Sequence, residues 1–260
     1  MSSIDEDGFL SEDINNWIKK YRNEYKDIFN LALDVNRFAQ SLMFKINAHN
    51  DNAQELLLAL FYIRALSTYQ SIIILSERGL IPESKVLCRN LIENMFSFVA
   101  CAKHKEIARM YILNDAKESL KSLNKLKSSE KLMSFWASRI NISEREDELI
   151  SLINKRDIKH LSTEELSKKA ELHDHYLTVY HVLSQTVHVK IRDIEHHLDF
   201  PNTKFIWGPN TEGIDFVLLT TIGEFIIIVK TLIDYFSIDE TETLSNFENK
   251  YVQLFKKLKK

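Results

Sequence analysis

The sequence predicts an all-α protein, a single elongated helical bundle, and three observations carry that expectation. Only 5 glycines and 3 prolines interrupt 260 residues. Apolar residues recur at helical spacing through nearly every long stretch, and no run of strand-period alternation is long enough to form a sheet. With 45% hydrophobic and 27% charged residues, the chain can also bury a sizeable core. We read residues 1–260 as one helical domain, with a smaller helical excursion over 104–160 in the middle third.

Each element follows from local signals. From Ser11 to Ile46, Ile14, Trp17, Tyr21, Ile28, Val35 and Leu42 mark one long amphipathic helix with a break near Ala32. The polar turn Ala48 to Asn52 ends it, and Asp51 or Asn52 caps an apolar helix running to about Glu77. Arg78-Gly79-Leu80-Ile81-Pro82 breaks the chain, glycine after one helix and proline at the start of the next. In Pro82 to Lys103, Leu87, Leu91, Met95, Phe98 and Ala102 form a stripe that Val86, Ile92, Phe96 and Val99 widen. A helix apolar almost all round belongs in the middle of a bundle.

After His104 the texture is more polar. Glu106 to Lys127 is amphipathic and lysine-rich, and Ser128-Ser129 caps a short helix through Trp136. Ser143-x-x-Glu146 is a capping box opening a helix to about Arg156. Ser162-x-x-Glu165 opens a long helix through His175, Tyr180 and His188 to about Leu198. A loop follows, which Trp207 is expected to pin to the core. Thr211 to Ser237 is again apolar, and Thr241 to Lys257 closes the chain. Ile72-Ile73-Ile74 and Ile226-Ile227-Ile228 favour strands in isolation, but their flanks are helical.

Charge and cysteine usage narrow the class. A formal net charge of −3 argues against coating duplex nucleic acid, and the basic tail Phe255 to Lys260 reads as a solvated helix end. Cys88 and Cys101 lie on one helix and cannot bridge each other, so they read as buried reduced thiols in the cytoplasm. The acidic start MSSIDEDGFLSED lacks the features of a secretory signal or mitochondrial presequence. Leu56 to Leu75 contains Arg64 and Gln70, and Phe216 to Phe236 contains Glu224, Lys230 and Asp234. Both therefore read as core helices, with no membrane partner expected.

Polar residues in apolar helices are the candidate site. Arg89 and Glu93 stand one turn apart on the central helix, where charges need partners. Arg64 is a second buried-charge candidate, with Glu93 as a partner across the hairpin. On a helical wheel His181, Ser184, His188 and Arg192 fall within about 80° of one another, with Glu195 on the same side. If this face meets Arg89 and Glu93, Glu93 orients Arg192 or fixes the His188 tautomer, and imidazole serves as general acid or base. The same residues also read as a hydrogen-bonded network that locks helix register. No metal or other cofactor is expected: His173-x-His175 and His196-His197 lack the i,i+4 pairing of helical zinc ligands, and no HExxH is present. Gly79, Gly208, Gly213 and Gly223 are isolated, so no phosphate loop exists, and no serine sits in a nucleophile elbow.

Two resemblances add to this. Arg192-Asp193-Ile194-Glu195-His196-His197 resembles the R-x4-H signature of the HEPN superfamily, many of whose members are metal-independent ribonucleases that work as dimers. The resemblance implies that His197 acts as acid/base at the ribose 2′-hydroxyl and that Arg192 stabilises the charged phosphorane. Positions five apart diverge by about 140° on a straight helix, so these two converge only near a helix end or across a dimer seam. Arg78-Gly79 with Leu87, Arg89 and Glu93, then Tyr180, Ser184 and His188, resemble an uncharacterised bacterial helical family over about residues 55 to 200. That implies an all-helical fold with a shared polar site at Arg89, Glu93 and His188.

Two functions are expected from these readings. One is a HEPN-like ribonuclease, a toxin or phage-defence effector acting on RNA as a homo-oligomer. Its catalytic set is His188, Arg192, His197, Arg89 and Glu93, supported by His181, Ser184, Tyr180 and Arg64. The other is a non-catalytic interaction or scaffold module whose polar residues serve packing against a protein partner.

Overall fold

Scarce breakers and long apolar stretches give long helices, and a computed structural model describes them over residues 3–131, 141–153, 161–185, 194, 197–199 and 204–258. In chain order these are α1 (Ile4–Asp7), α2 (Ile14–Glu24), α3 (Lys26–Leu42), α4 (Ala53–Glu77), α5 (Ile81–Lys103), α6 (Lys105–Lys127), α7 (Ile142–Ile153) and α8 (Thr163–Lys169). Helix α9 is a continuous run of His173–His175, a π-helical Tyr176–Tyr180 and His181–Ser184, and α10 (Ile214–Phe236) and α11 (Thr241–Leu258) complete the set. The architecture is all-α. Its sole sheet among the described residues is a two-residue antiparallel ladder, Leu198 to Phe205 and Asp199 to Lys204.

Helix α5 sits at the centre, packed most extensively against α4 and α10 and covered further by α6, α8 and α9. Cys88, Leu91, Ile92, Met95, Phe96, Phe98, Ala100 and Cys101 are fully buried along it. Burial pushes the Cys88 thiol up to about 12, and that of Cys101 likewise, so both stay protonated and free. Helices α4 and α10 are long and apolar enough to cross a membrane. Here they flank α5, with 44% and 67% of their most apolar stretches buried in the protein.

Polar side chains set the alignment of these greasy surfaces. Across the α4–α5 hairpin Gln54 Nε2 donates to the Cys101 carbonyl, Asn94 Nδ2 to that of Phe61, and Ser76 Oγ to Ser84 Oγ. Tyr62 and Tyr69, two turns apart on α4, donate to Ala39 and Ala32 on α3 at 2.8 and 2.9 Å. Tyr69 also stacks on Phe225 of α10, with ring centroids 4.2 Å apart. At the end of α4 the buried Glu77 accepts from Arg22 of α2 and from Arg78.

Several boundaries differ from the sequence expectation. The first long helix breaks at Tyr25 (φ −101°), not near Ala32, which is fully buried inside α3. The bend lets α2 reach the far end of α4 while α3 follows α4 and α10. Asn52 does cap α4, its Oδ1 accepting from the Gln54 and Glu55 amides. Helix α7 is capped by Asn141, which accepts from the Glu144 amide and donates to its carboxylate; Glu146 is drawn away to Lys127. The Ser162–Glu165 capping box forms, but its helix stops at Lys169. Glu171 then adopts φ +62° and turns the chain before α9 begins. Leu198 lies in the small ladder rather than a helix. The short helix expected through Trp136 falls largely outside the described residues.

Gly79 makes the α4–α5 turn. Its φ is +76°, and the Gly79 and Leu80 amides bond back to the Ser76 and Leu75 carbonyls, the glycine cap that satisfies a helix end. An added Cβ would stand 2.6 Å from the Asn210 nitrogen. Gly79→Ala should therefore lower stability by about 2 kcal/mol or more, through left-handed strain and a backbone clash. The check is the urea midpoint with unchanged slope; an unaltered midpoint would show that the loop does not rest on this turn.

Candidate functional site

The central helix brings Arg89 and Glu93 to the one side of α5 that α9 covers. They form an i,i+4 pair, Arg89 Nη1 donating to Glu93 Oε2 at 3.0 Å. From α9, Tyr180 and Ser184 are also four apart and so share a face. Arg89 Nη2 donates to the Tyr180 hydroxyl at 2.6 Å, and Nε donates to Ser184 Oγ at 3.2 Å. Tyr180 in turn donates to Glu93 Oε1 at 2.9 Å, and Ser184 donates to the Tyr180 carbonyl at 2.7 Å. The ring of Tyr180 also lies 4.8 Å from the Arg89 guanidinium carbon. Tyr176 and Phe96 pack against that ring.

The result is a closed circuit in which both Glu93 oxygens and both hydroxyls are engaged. Burial first, and then the Glu93 carboxylate, push the Tyr180 pKa up, so the phenol stays a neutral donor. The side chains of Arg89 and Glu93 keep 21% and 30% of their exposure. Three of the five guanidinium N–H groups are used within the circuit. The circuit can thus hold a guanidinium in fixed orientation with donors to spare among the described residues, which suits an anionic oxygen.

Other expected members are placed elsewhere. His181, next to Tyr180, points to solvent; the polar face is centred on Tyr180 and Ser184, one residue earlier than the wheel through His181 placed it. Arg64 is exposed on α4 and takes no part, because the buried positions of that helix are Tyr62, Ala65, Leu66 and Tyr69. His197 stands in the small hairpin. Its Nδ1 lies 3.1 Å from the Ile206 carbonyl, which can only accept, so Nδ1 is the donor there and the ring orientation is fixed. His188 and Arg192 lie outside the described residues, as do Glu195 and His196.

A second buried pair escaped sequence reasoning. Both carboxylate oxygens of Glu224, 5% exposed on α10, lie 3.0 Å from His175 Nδ1 on α9. The signal was present: a carboxylate in an apolar run needs a partner, although nothing local says that the partner stands 49 residues away. Among the described residues, no three His, Cys, Asp or Glu side chains gather as a metal would require.

Two outcomes follow. Tyr180→Phe removes a hydroxyl that bridges Arg89 and Glu93, and should lower unfolding stability by about 1 kcal/mol; no change in the urea midpoint would mean that water replaces it. The bond to Glu224, outweighing burial, raises the His175 pKa above 6.5. Its stabilising contribution is therefore full below the unfolded value and fades as pH rises through the raised native one. The stability gap between wild type and Glu224→Gln should be widest below the ordinary histidine value of about 6.5 and narrow as pH rises above it. A pH-independent gap would assign Glu224 a purely packing role.

No curated protein and no solved structure matches the chain. One family model does, over residues 55–205, the span holding α4, α5, the Arg89 circuit and the hairpin. The chain belongs to DUF5677, a family of unknown function.

Proposed function

We propose that this protein is a HEPN-like, metal-independent endoribonuclease, a toxin or phage-defence effector that acts as a homodimer in the bacterial cytoplasm. The observation that carries the reading is the Arg89 guanidinium, oriented by Glu93, Tyr180 and Ser184 with N–H groups left over. His188 follows Ser184 by four residues in sequence, the same interval that separates Ser184 from Tyr180. In this reading His188 or His197 takes the proton from a ribose 2′-hydroxyl, whose oxygen attacks the adjacent phosphorus. The imidazolium so formed, or the other histidine in its protonated form, gives a proton to the departing 5′-oxygen, which closes the balance. The 2′,3′-cyclic phosphate and a free 5′-hydroxyl are the products. Arg192 and Arg89 hold the phosphate while charge builds on it, and Glu93 keeps Arg89 aimed. A ring held in one orientation through Nδ1, as at His197, presents Nε2 outward, the atom that takes the proton in this reading.

A second reading is a helical interaction module. The completeness of the circuit favours it, since Glu93, Tyr180 and Ser184 each already have partners and the larger clefts are lined by other residues. Growth on induction separates the two. Wild type should arrest growth, while His188→Ala and Arg192→Ala should not, with helical content intact by circular dichroism. Arg89→Lys should retain the fold and lose about 100-fold or more in cleavage rate. Equal growth with all variants would favour the module.

A further inference from the structure

Where α5 begins, a cleft of about 210 Å³ opens, lined by Phe9, Pro82, Lys85, His197, Ile206 and Trp207 among others. Trp207 was expected to pin its loop to the core; instead it is 70% exposed, and Phe205, two residues before it, is 74% exposed. The loop is held by its backbone. The Ile206 amide donates to the His197 carbonyl at 2.8 Å, and the Asn210 amide to the Gly79 carbonyl at 3.2 Å. The Leu198–Phe205 ladder and the His197 ring bond to Ile206 fix the same strand from its other end. An indole that has no role in anchoring its own loop is thus presented on a fixed frame beside a cavity.

We infer that this cleft is a nucleobase site, in which Trp207 stacks on the base of the nucleotide whose ribose faces His197. The inference rests on the ribonuclease reading and adds the residue that positions the substrate. Size selects the occupant: 210 Å³ is the volume of about seven waters, below the range of drug-sized ligands but sufficient for a planar ring. Composition selects it further. Trp207, Phe9 and Pro82 supply flat apolar walls, while Lys85 supplies a cation and His197 an imidazole whose Nδ1 is already engaged, the requirements of one nucleotide rather than of a protein side chain. Glu83 and Glu212 also line the cleft and outnumber Lys85, so charge does not draw a phosphate in and stacking carries the binding. A site of that kind has shallow salt dependence compared with a lysine-lined groove.

The test uses the full chain and a fluorescein-labelled single-stranded oligouridylate, read by anisotropy, with cleavage followed separately. Trp207→Ala should weaken binding about 10-fold or more, and Trp207→Phe should restore most of it. In cleavage the loss should fall on KM, with kcat at saturation changed little, because Trp207 touches the base and not the reacting atoms. Circular dichroism confirms the fold, which an exposed side chain does not support. Unchanged affinity in Trp207→Ala overturns the base site; if His197→Ala still abolishes cleavage in that experiment, the ribonuclease reading survives it. The Ala-weak, Phe-restored pattern in a wild type that cleaves nothing keeps the base site and removes the ribonuclease reading. A change in sedimentation with no change in RNA affinity overturns the inference too, and makes the aromatic patch an interface between proteins.

Discussion

A helix with no polar face cannot sit at a surface, and α5 imposes that constraint on the rest of the chain. Its side chains from Leu91 to Cys101 are almost without exception buried, so it must be enclosed. The two other strongly apolar helices, α4 and α10, take the flanks, and α6, α8 and α9 complete the enclosure. Arg89 and Glu93 then lie under a covering helix instead of in water. Drawing two charges partly out of solvent is tolerable when they are paired and hydrogen-bonded, and Tyr180 and Ser184 add to the pair the bonds it needs. The circuit follows from the apolarity of the helix that carries it.

Enclosure alone does not choose an alignment. Surfaces rich in Leu and Ile can slide by a turn with little loss of contact, whereas a buried hydroxyl or amide that slides loses its partner outright. Each main seam accordingly holds such a group. Tyr62 and Tyr69 tie α4 to α3, and Gln54, Asn94 and Ser76 tie α4 to α5. Thr221 meets Cys88 between α10 and α5, and Glu224 meets His175 between α10 and α9. The paired carboxylate on α10 places α9 against two core helices at once, which fixes the height at which Tyr180 meets Arg89.

What was legible in the sequence is what local chemistry decides. Gly79 and Pro82 announce the central turn, Asn52 and Ser162 announce helix starts, and the spacing within Arg89/Glu93 and Tyr180/Ser184 announces shared faces. Illegible features are those in which two local solutions compete or in which the deciding contact is distant. Asn141-x-x-Glu144 and Ser143-x-x-Glu146 are both capping boxes on paper; the choice falls to Lys127, on another helix, which takes Glu146. Tyr25 carries no breaker signal, and its bend comes from the separate targets of α2 and α3. Arg64 has apolar neighbours on both sides in sequence, yet sequence neighbours on a helix point in different directions and only the period assigns it to solvent. The face of α9 that meets α5 is set by Tyr180 and Ser184, one turn apart, and His181, about 100° from Tyr180, falls outside it.

The division of labour along α5 bears on how such a bundle could act on a substrate. Its N-terminal turn borders the cleft with Trp207 and His197, and Arg89 stands seven residues beyond Pro82, about 10 Å along the axis. In the proposed reading the group that holds phosphate needs rigid support, and a guanidinium braced on three sides by a half-buried circuit has it. A group that selects a base benefits from a loop, because loops change length and composition without disturbing packing. The exposed aromatic is on the loop and the braced cation is on the core helix, each on the kind of element that suits its part. A purely structural circuit explains the cation and leaves the indole to the loop, and it is the proposed reading that joins the two at this end of α5.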